Sequence, residues 1–246
     1  MGRWSRRVAE PLVDFADVCE GNVVLDAGCG TGALAFAASA VPSVLVTGVD
    51  PSEVFIRAAR QRVADHRVQF EVGDAQQLRF PDDSFDRAIS LLVLNFLPDS
   101  AAALREMIRV TRPNGVVAAA VWEYGGMEML RVYWEEAVAL FPDAAQRDER
   151  RMLLCKHGNL AKLWHASELR SVEERPVTIE MEFSSFDDFW QPFLEGQGPA
   201  GVYTVSLGES AREALKSRLL DRLWGGAADE PLMLPARAWA VRGIVA

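Results

Sequence analysis

The chain has 246 residues, enough for one large domain with or without a cap. Half of them are hydrophobic, and the net charge is −9 with a pI ≈ 5.0, so no basic footprint for a nucleic-acid backbone is present. No apolar run is long enough to insert stably across a bilayer, and the N-terminus lacks the apolar core of a secretory signal.

Arg6 stands where myristoylation needs Ser or Thr. Cys19, Cys29 and Cys155 are too widely spaced for a disulfide framework or a zinc site, and they suit a reducing cytoplasm. His66, His157 and His165 lack metal-ligand spacing, so no metal is expected.

In chain order, Asn22 to Ala27 reads as a strand buried on both faces, breaking into glycines and then a helical stretch from Ala33 to Ala40. Val44 to Val49 is a second buried strand, followed by a helix from Ser52 to Val63. Val68 to Val72 is a shorter strand, and Arg87 to Leu94 an apolar one. Ser100 to Thr111 carries Leu104, Met107, Ile108 and Thr111 at helical spacing, with Ser100 as candidate N-cap. The turn Arg112-Pro113-Asn114-Gly115 leads into a strand from Val116 to Trp122.

The second half has a different grammar. Leu130, Trp134, Ala137, Val138 and Phe141 form one helical stripe. Asp143 to Arg151 reads as a solvated turn or helix end, and Asn159 to Leu169 as a short helix. Val177 to Phe183 alternates as a strand does. Ser185 and Asp188 resemble a capping box opening a helix from Phe186 to Leu194. Gly196, Gly198, Pro199 and Gly201 read as a flexible loop. Ala211, Leu215, Leu219 and Leu223 make another helical stripe, and Ala236 to Val245 a closing strand. Alternating strands and helices imply right-handed crossovers and a parallel sheet. The expected fold is therefore α/β and Rossmann-like. It has a seven-stranded, mostly parallel sheet with helices on both faces, an antiparallel last strand and helical cap elements from the second half. No linker separates domains. Residues 1–246 are read as one domain, with a ligand-binding core over about 10–123 and a substrate and cap region over about 124–246.

The glycine loop Gly28-Cys29-Gly30-Thr31-Gly32 carries the chemistry. A glycine can take φ > 0 and lets a ligand approach the main chain. Strand, glycine loop and helix N-terminus form a ligand cradle at the carboxyl end of a parallel sheet. Gly28-x-Gly30-x-x-Ala33 fits the dinucleotide fingerprint. Asp26, immediately before the loop, disfavours a pyrophosphate and suits a cationic ligand.

Val24-Leu25-Asp26-Ala27-Gly28-Cys29-Gly30-Thr31-Gly32 resembles motif I of the class I S-adenosylmethionine (SAM) methyltransferases, of the type-11 group that includes the ubiquinone and menaquinone biosynthesis enzymes. Val49-Asp50-Pro51-Ser52 resembles motif II. Gly73-Asp74-Ala75-Gln76-Gln77-Leu78 and Phe80 to Asp86 resemble the motif III region and the entry to strand four. Arg109 to Gly115 resembles the motif before strand five, with Asn114 where the family usually has glycine. The resemblance covers roughly residues 10–123, and it rests on order and spacing together.

It implies SAM as cofactor. Asp26 would meet the methionine part, and Gly28, Gly30 and the small Cys29 between them would form the cofactor-binding loop. Asp50, with Pro51 beside it, would take the ribose hydroxyls. Asp74 would face the adenine amine, and Ala75 would offer a backbone N–H to the ring. Ser90 lies where family backbone atoms meet the methionine part. Met1 to Trp4 resembles the helix that covers SAM in related proteins, and it begins abruptly, so part of that lid is expected to be missing.

The acceptor is a small molecule, with Phe96, Trp122, Trp190 and Tyr203 as candidate pocket residues. Methyl transfer is an in-line displacement needing mainly alignment and exclusion of water, so no triad is expected. His157, His165 and Tyr124 are the candidates for a base, where the acceptor holds its proton. Two alternatives remain at this point: an NAD-dependent oxidoreductase and a non-catalytic SAM-binding protein.

Overall fold

The computed structural model describes residues 2–196 and 198–246. Met1, at the start of the expected lid, and Gln197, inside the expected glycine-rich loop, lie outside the described residues.

The first half alternates as expected: α1 (Gly2–Phe15), β1 (Val23–Ala27), α2 (Ala33–Ala38), β2 (Leu45–Asp50), α3 (Glu53–Arg60), β3 (Val68–Val72), β4 (Phe85–Leu91), α4 (Ser100–Val110) and β5 (Thr111–Trp122). The second half adds α5 (Glu128–Leu140), α6 (Asn159–His165), β6 (Arg170–Phe183), α7 (Phe186–Leu194), α8 (Gly198–Ser206), α9 (Glu209–Trp224) and β7 (Leu232–Ile244).

Seven strands form one sheet in the order β3-β2-β1-β4-β5-β7-β6. The pairs β1–β2, β1–β4, β2–β3 and β4–β5 are parallel. The last strand inserts antiparallel beside β5: Glu123 N–H donates to Arg237 O and Val245 N–H to Gly115 O, each at 2.9 Å. The outward reversal of strand order beside β1 puts the carboxyl ends of β1 and β4 at a topological switch point, where such folds bind ligands.

The chain divides into two compact units. The first comprises the residues up to Val121, with Leu153–Val177 and Ala238–Ala246. Its core takes Val24 and Leu25 of β1, Val8, Ala9 and Leu12 of α1, and Val117 to Val121 of β5, all fully buried. Trp164 of α6 is also fully buried, and its indole N–H donates to Val117 O at 3.0 Å, so the polar edge of the ring is satisfied. The acidic residues at the entry to β4 serve the scaffold. Asp82 binds Arg109 at 2.7 Å, and Asp86 accepts from Val23 N at 2.7 Å and pairs with Arg112 at 2.8 Å.

The second unit comprises Trp122–Met152 and Thr178–Arg237. It is built on aromatic contacts. Tyr133 stacks on Phe193 with centroids 4.6 Å apart, and Phe186, Phe189, Trp190 and Trp224 pack around them. Glu136 of α5 is gripped by Arg218 and Arg222 of α9 at 2.8 and 2.5 Å.

Several local expectations need correction. Asp99, not Ser100, caps α4 by accepting from Ala102 N at 2.8 Å, while Ser100 Oγ donates to Leu94 O. An aspartate one position earlier outcompetes the serine. The 112–115 turn is absorbed into β5 as an irregularity, with Asn114 at φ 64. β6 starts at Arg170 rather than Val177, because its first residues alternate too weakly to show a strand period. Gly198, Pro199 and Gly201 belong to α8, not to a loop. A Cβ on Gly201 would lie 3.0 Å from Gly196 C, so this glycine permits close packing. The 143–151 stretch holds two 3-10 turns, and Glu149 within it is buried.

Candidate active site

The glycine loop is shaped by its own backbone. Gly28, Gly30 and Gly32 sit at φ 81, 52 and 88, all in the left-handed region that favours glycine. Gly28 N–H and Cys29 N–H both donate to Val49 O, at 2.8 and 2.9 Å, which pins the loop to the end of β2. A Cβ on Gly28 would lie 2.6 Å from Val93 Cγ1, so the residues after β4 close in against the loop. Arg62 reaches Thr31 O at 2.9 Å and lies over the Phe36 ring at 4.8 Å.

Two buried carboxylates flank the loop. Asp50 is 8% exposed; one oxygen accepts from Gly30 N and the other from Ser52 N, both at 2.9 Å. Each oxygen keeps a second lone pair. Asp26 is fully buried: Oδ2 accepts from Ala35 N at 3.0 Å, and Oδ1 has no hydrogen-bond partner among the described residues. Burial pushes the Asp26 carboxyl up to about 7; the Ala35 N–H opposes this and the Asp50 charge adds to it. The Cys29 thiol is pushed up by burial and by both carboxylates, so it stays neutral and is no nucleophile.

The other expected contacts of the cradle lie in the same unit. Gly73 N–H donates to Asp50 O at 3.1 Å, which carries the chain from β3 past Asp50 into Asp74. Asp74 is exposed two residues beyond β3, and its Oδ1 accepts from Gln76 N at 2.8 Å; Ala75 is buried and Pro51 exposed. Ser90 Oγ donates to Ala27 O at 2.8 Å, so its side chain ties β4 to β1 rather than facing a ligand.

The acceptor-side candidates divide between the units. Phe96, 50% exposed in a 3-10 turn after β4, is in the first unit. His157 and His165 are also there. His157 stacks on Trp239 at 4.1 Å, with Nε2 3.4 Å from Glu174 Oε2 and most of its side chain open. His165 is exposed at the end of α6. Trp122, Tyr124, Trp190 and Tyr203 are buried in the second unit. Trp190 stacks on Phe186, and Tyr203 tilts against Trp134 with its hydroxyl buried. No group of three or more His, Cys, Asp or Glu among the described residues could hold a metal. Val93 and Arg62 carry no sequence signal, since their role exists only through contact.

A methyltransferase-domain family matches residues 24–115, which is the stretch that builds this cradle. Curated relatives match the same half. The Streptomyces halstedii methyltransferase GfsG is 38% identical over 118 residues, covering 46% of this chain and 42% of that protein. The Staphylococcus aureus demethylmenaquinone methyltransferase is 36% identical over 117 residues, covering 46% and 47%. Residues 24–115 thus match a methyltransferase domain, and the chain is similar in this half to methyltransferases such as demethylmenaquinone methyltransferase.

The fold agrees over nearly the whole chain. A putative methyltransferase from an antibiotic biosynthesis pathway of Anabaena variabilis superposes with a TM-score of 0.67, at 20% identity over 95% of this chain and 96% of that one. The matched stretch spans less than half the length of the curated relatives named above. No described helix is long and apolar enough to cross a membrane.

Proposed function

We propose that this protein transfers a methyl group from SAM to a small-molecule acceptor, and that residues 1–246 work as one methyltransferase domain. One observation carries the donor assignment. The glycine cradle is flanked by the buried carboxyls of Asp26 and Asp50, an arrangement that offers a pyrophosphate no positive charge and suits a cationic, hydroxyl-bearing ligand. SAM supplies an electrophilic methyl on a sulfonium leaving group.

The chain's own residues do the holding. Gly28 and Gly30 let the ligand reach main-chain atoms. The free lone pairs of Asp50 receive the ribose hydroxyls, and Asp74 with the Ala75 N–H receives the adenine edge. Asp26 faces the cationic end. The reaction then needs alignment of acceptor and methyl and exclusion of water, which together can supply roughly 7–11 kcal/mol of a barrier. Among the three base candidates, His157 is the one we assign to acceptors that hold a proton, because a carboxylate holds its Nε2 and its ring is open. Residues from about 124 onward serve acceptor recognition. We place the protein in the cytoplasm on its three cysteines.

Calorimetry with SAM, S-adenosylhomocysteine and NAD tests the donor assignment. The two adenosyl ligands bind and NAD does not. Asp50→Ala weakens SAM binding by about ten- to a hundredfold, the loss of hydrogen bonds to a charged group. Labelled methyl from SAM appears in a small molecule of a metabolite extract. Absence of SAM binding overturns the proposal; binding without transfer to any compound reduces it to a SAM-binding protein.

A further inference from the structure

The cradle leaves one polar atom unanswered. Among the described residues, Asp26 Oδ1 is buried without a hydrogen-bond partner, while Oδ2 takes only the Ala35 N–H. Its surroundings offer no cation. β2 and β4 present Gly48 and Ile89 at its register, and α2 has no ionisable side chain. The titratable group that acts on it is Asp50, which opposes a second negative charge; the neighbouring Cys29 thiol stays neutral. A bare, unpartnered carboxylate oxygen costs far more in such a place than a protonated one. We infer that donor binding is proton-linked: Asp26 is protonated in the free protein and releases its proton to solvent when the cationic end of SAM arrives.

The inference rests on the SAM assignment and adds a direction to it. The carboxyl stands near pH 7 in the free protein. A nearby positive charge favours the ionised form and lowers that value, so binding expels a proton below about pH 7. The proton leaves Asp26 for buffer, and no bond to carbon changes. SAM affinity therefore rises with pH through this window and flattens once Asp26 is ionised in the free protein as well. The opposite outcome is well defined. If the protonated acid instead donates a hydrogen bond to the carboxylate of SAM, no proton is released and affinity falls as pH rises past 7.

Calorimetric titration of SAM at pH 6.0, in two buffers of different ionisation enthalpy, reads the proton count directly. This pH lies below the titration of the ligand's own α-amino group, at about 8. Release approaches one proton per SAM, and Kd tightens up to about tenfold per pH unit between pH 5.5 and 6.5. In Asp26→Asn, release falls to near zero and the pH dependence of Kd disappears. Should that variant fail to fold, the carboxyl carbon resonance of Asp26 in the wild-type protein titrates near 7 alone and well below 6 with SAM bound. Release by S-adenosylhomocysteine as well as SAM makes the α-ammonium the partner, and release by SAM alone makes it the sulfonium. Binding of SAM without proton release at pH 6.0, or with unchanged release in Asp26→Asn, overturns the inference and leaves the donor assignment standing. No SAM binding at any pH overturns both.

Discussion

Gly28 shows how narrowly one residue can be determined. Its φ of 81 and the 2.6 Å approach of Val93 to a would-be Cβ are separate obstacles to any side chain. The left-handed conformation costs an alanine roughly 1–2 kcal/mol, and overpacking adds about 1–3 more. Gly28→Ala is therefore expected to lose about 2–5 kcal/mol in urea unfolding. Val93→Ala in the same chain should recover the part of the packing loss due to its two methyls and leave the backbone part, a coupling that a double-mutant cycle measures. Additive losses would mean that Val93 does not close on the loop. The glycine itself was legible in the sequence as a ligand cradle. Val93 was not, because its role is a contact across strands.

Elements followed their local chemistry where that chemistry was strong. β1, β2 and α7 appear within a residue or two of the positions that burial pattern and capping implied, and Ser185 accepts from Asp188 N as a cap should. α8 was misread because Gly198, Pro199 and Gly201 look like loop residues, yet proline suits a first helical turn and Gly201 is selected by close packing. Its N-terminus explains Glu149. Ala200 N–H donates to that carboxyl and Trp134 Nε1 donates to it at 3.2 Å, but burial dominates and pushes it up to about 7. A raised carboxyl contributes stability that is complete below its unfolded value, 4.5, and lost as pH rises through 7. Glu149→Gln, which keeps the shape without the charge, should leave stability unchanged at pH 4.5. At pH 8 it should raise stability by about 2–3 kcal/mol. Equal stability of both proteins at pH 8 would show that Glu149 ionises freely.

At the scale of the whole molecule, two sets of carboxyls oppose each other. Asp26 and Glu149 both stand near 7, raised by burial, so each favours the folded state below about pH 4 and withdraws that support by pH 7. Glu106 and Asp65 are held low, Glu106 by Arg109 and Asp65 by Arg67, and they lose their support only as pH falls through those lowered values. The unliganded protein should therefore be most stable near pH 4 and lose Tm steadily as pH rises from there to 7. Asp26→Asn should flatten part of that decline. A Tm that rises from pH 5 to 7 in thermal unfolding would reject the protonated state of these groups.

The sequence by itself determined the α/β class, the order of strands in the first half and the acidic residues that bracket the glycine loop. Those features are local: burial period, glycine spacing and a carboxylate at a strand end are written within a few residues of each other. Only the tertiary structure decided that the last strand enters between β5 and β6 with its Arg237 carbonyl on Glu123, and that Trp190 and Tyr203 are buried side chains of an aromatic core. It also decided that Asp26 keeps an oxygen with no partner among the described residues. Charge state, unlike residue type, depends on which atoms surround a group, and those atoms come from β2 and β4, remote in the chain, as well as from α2 just after the loop.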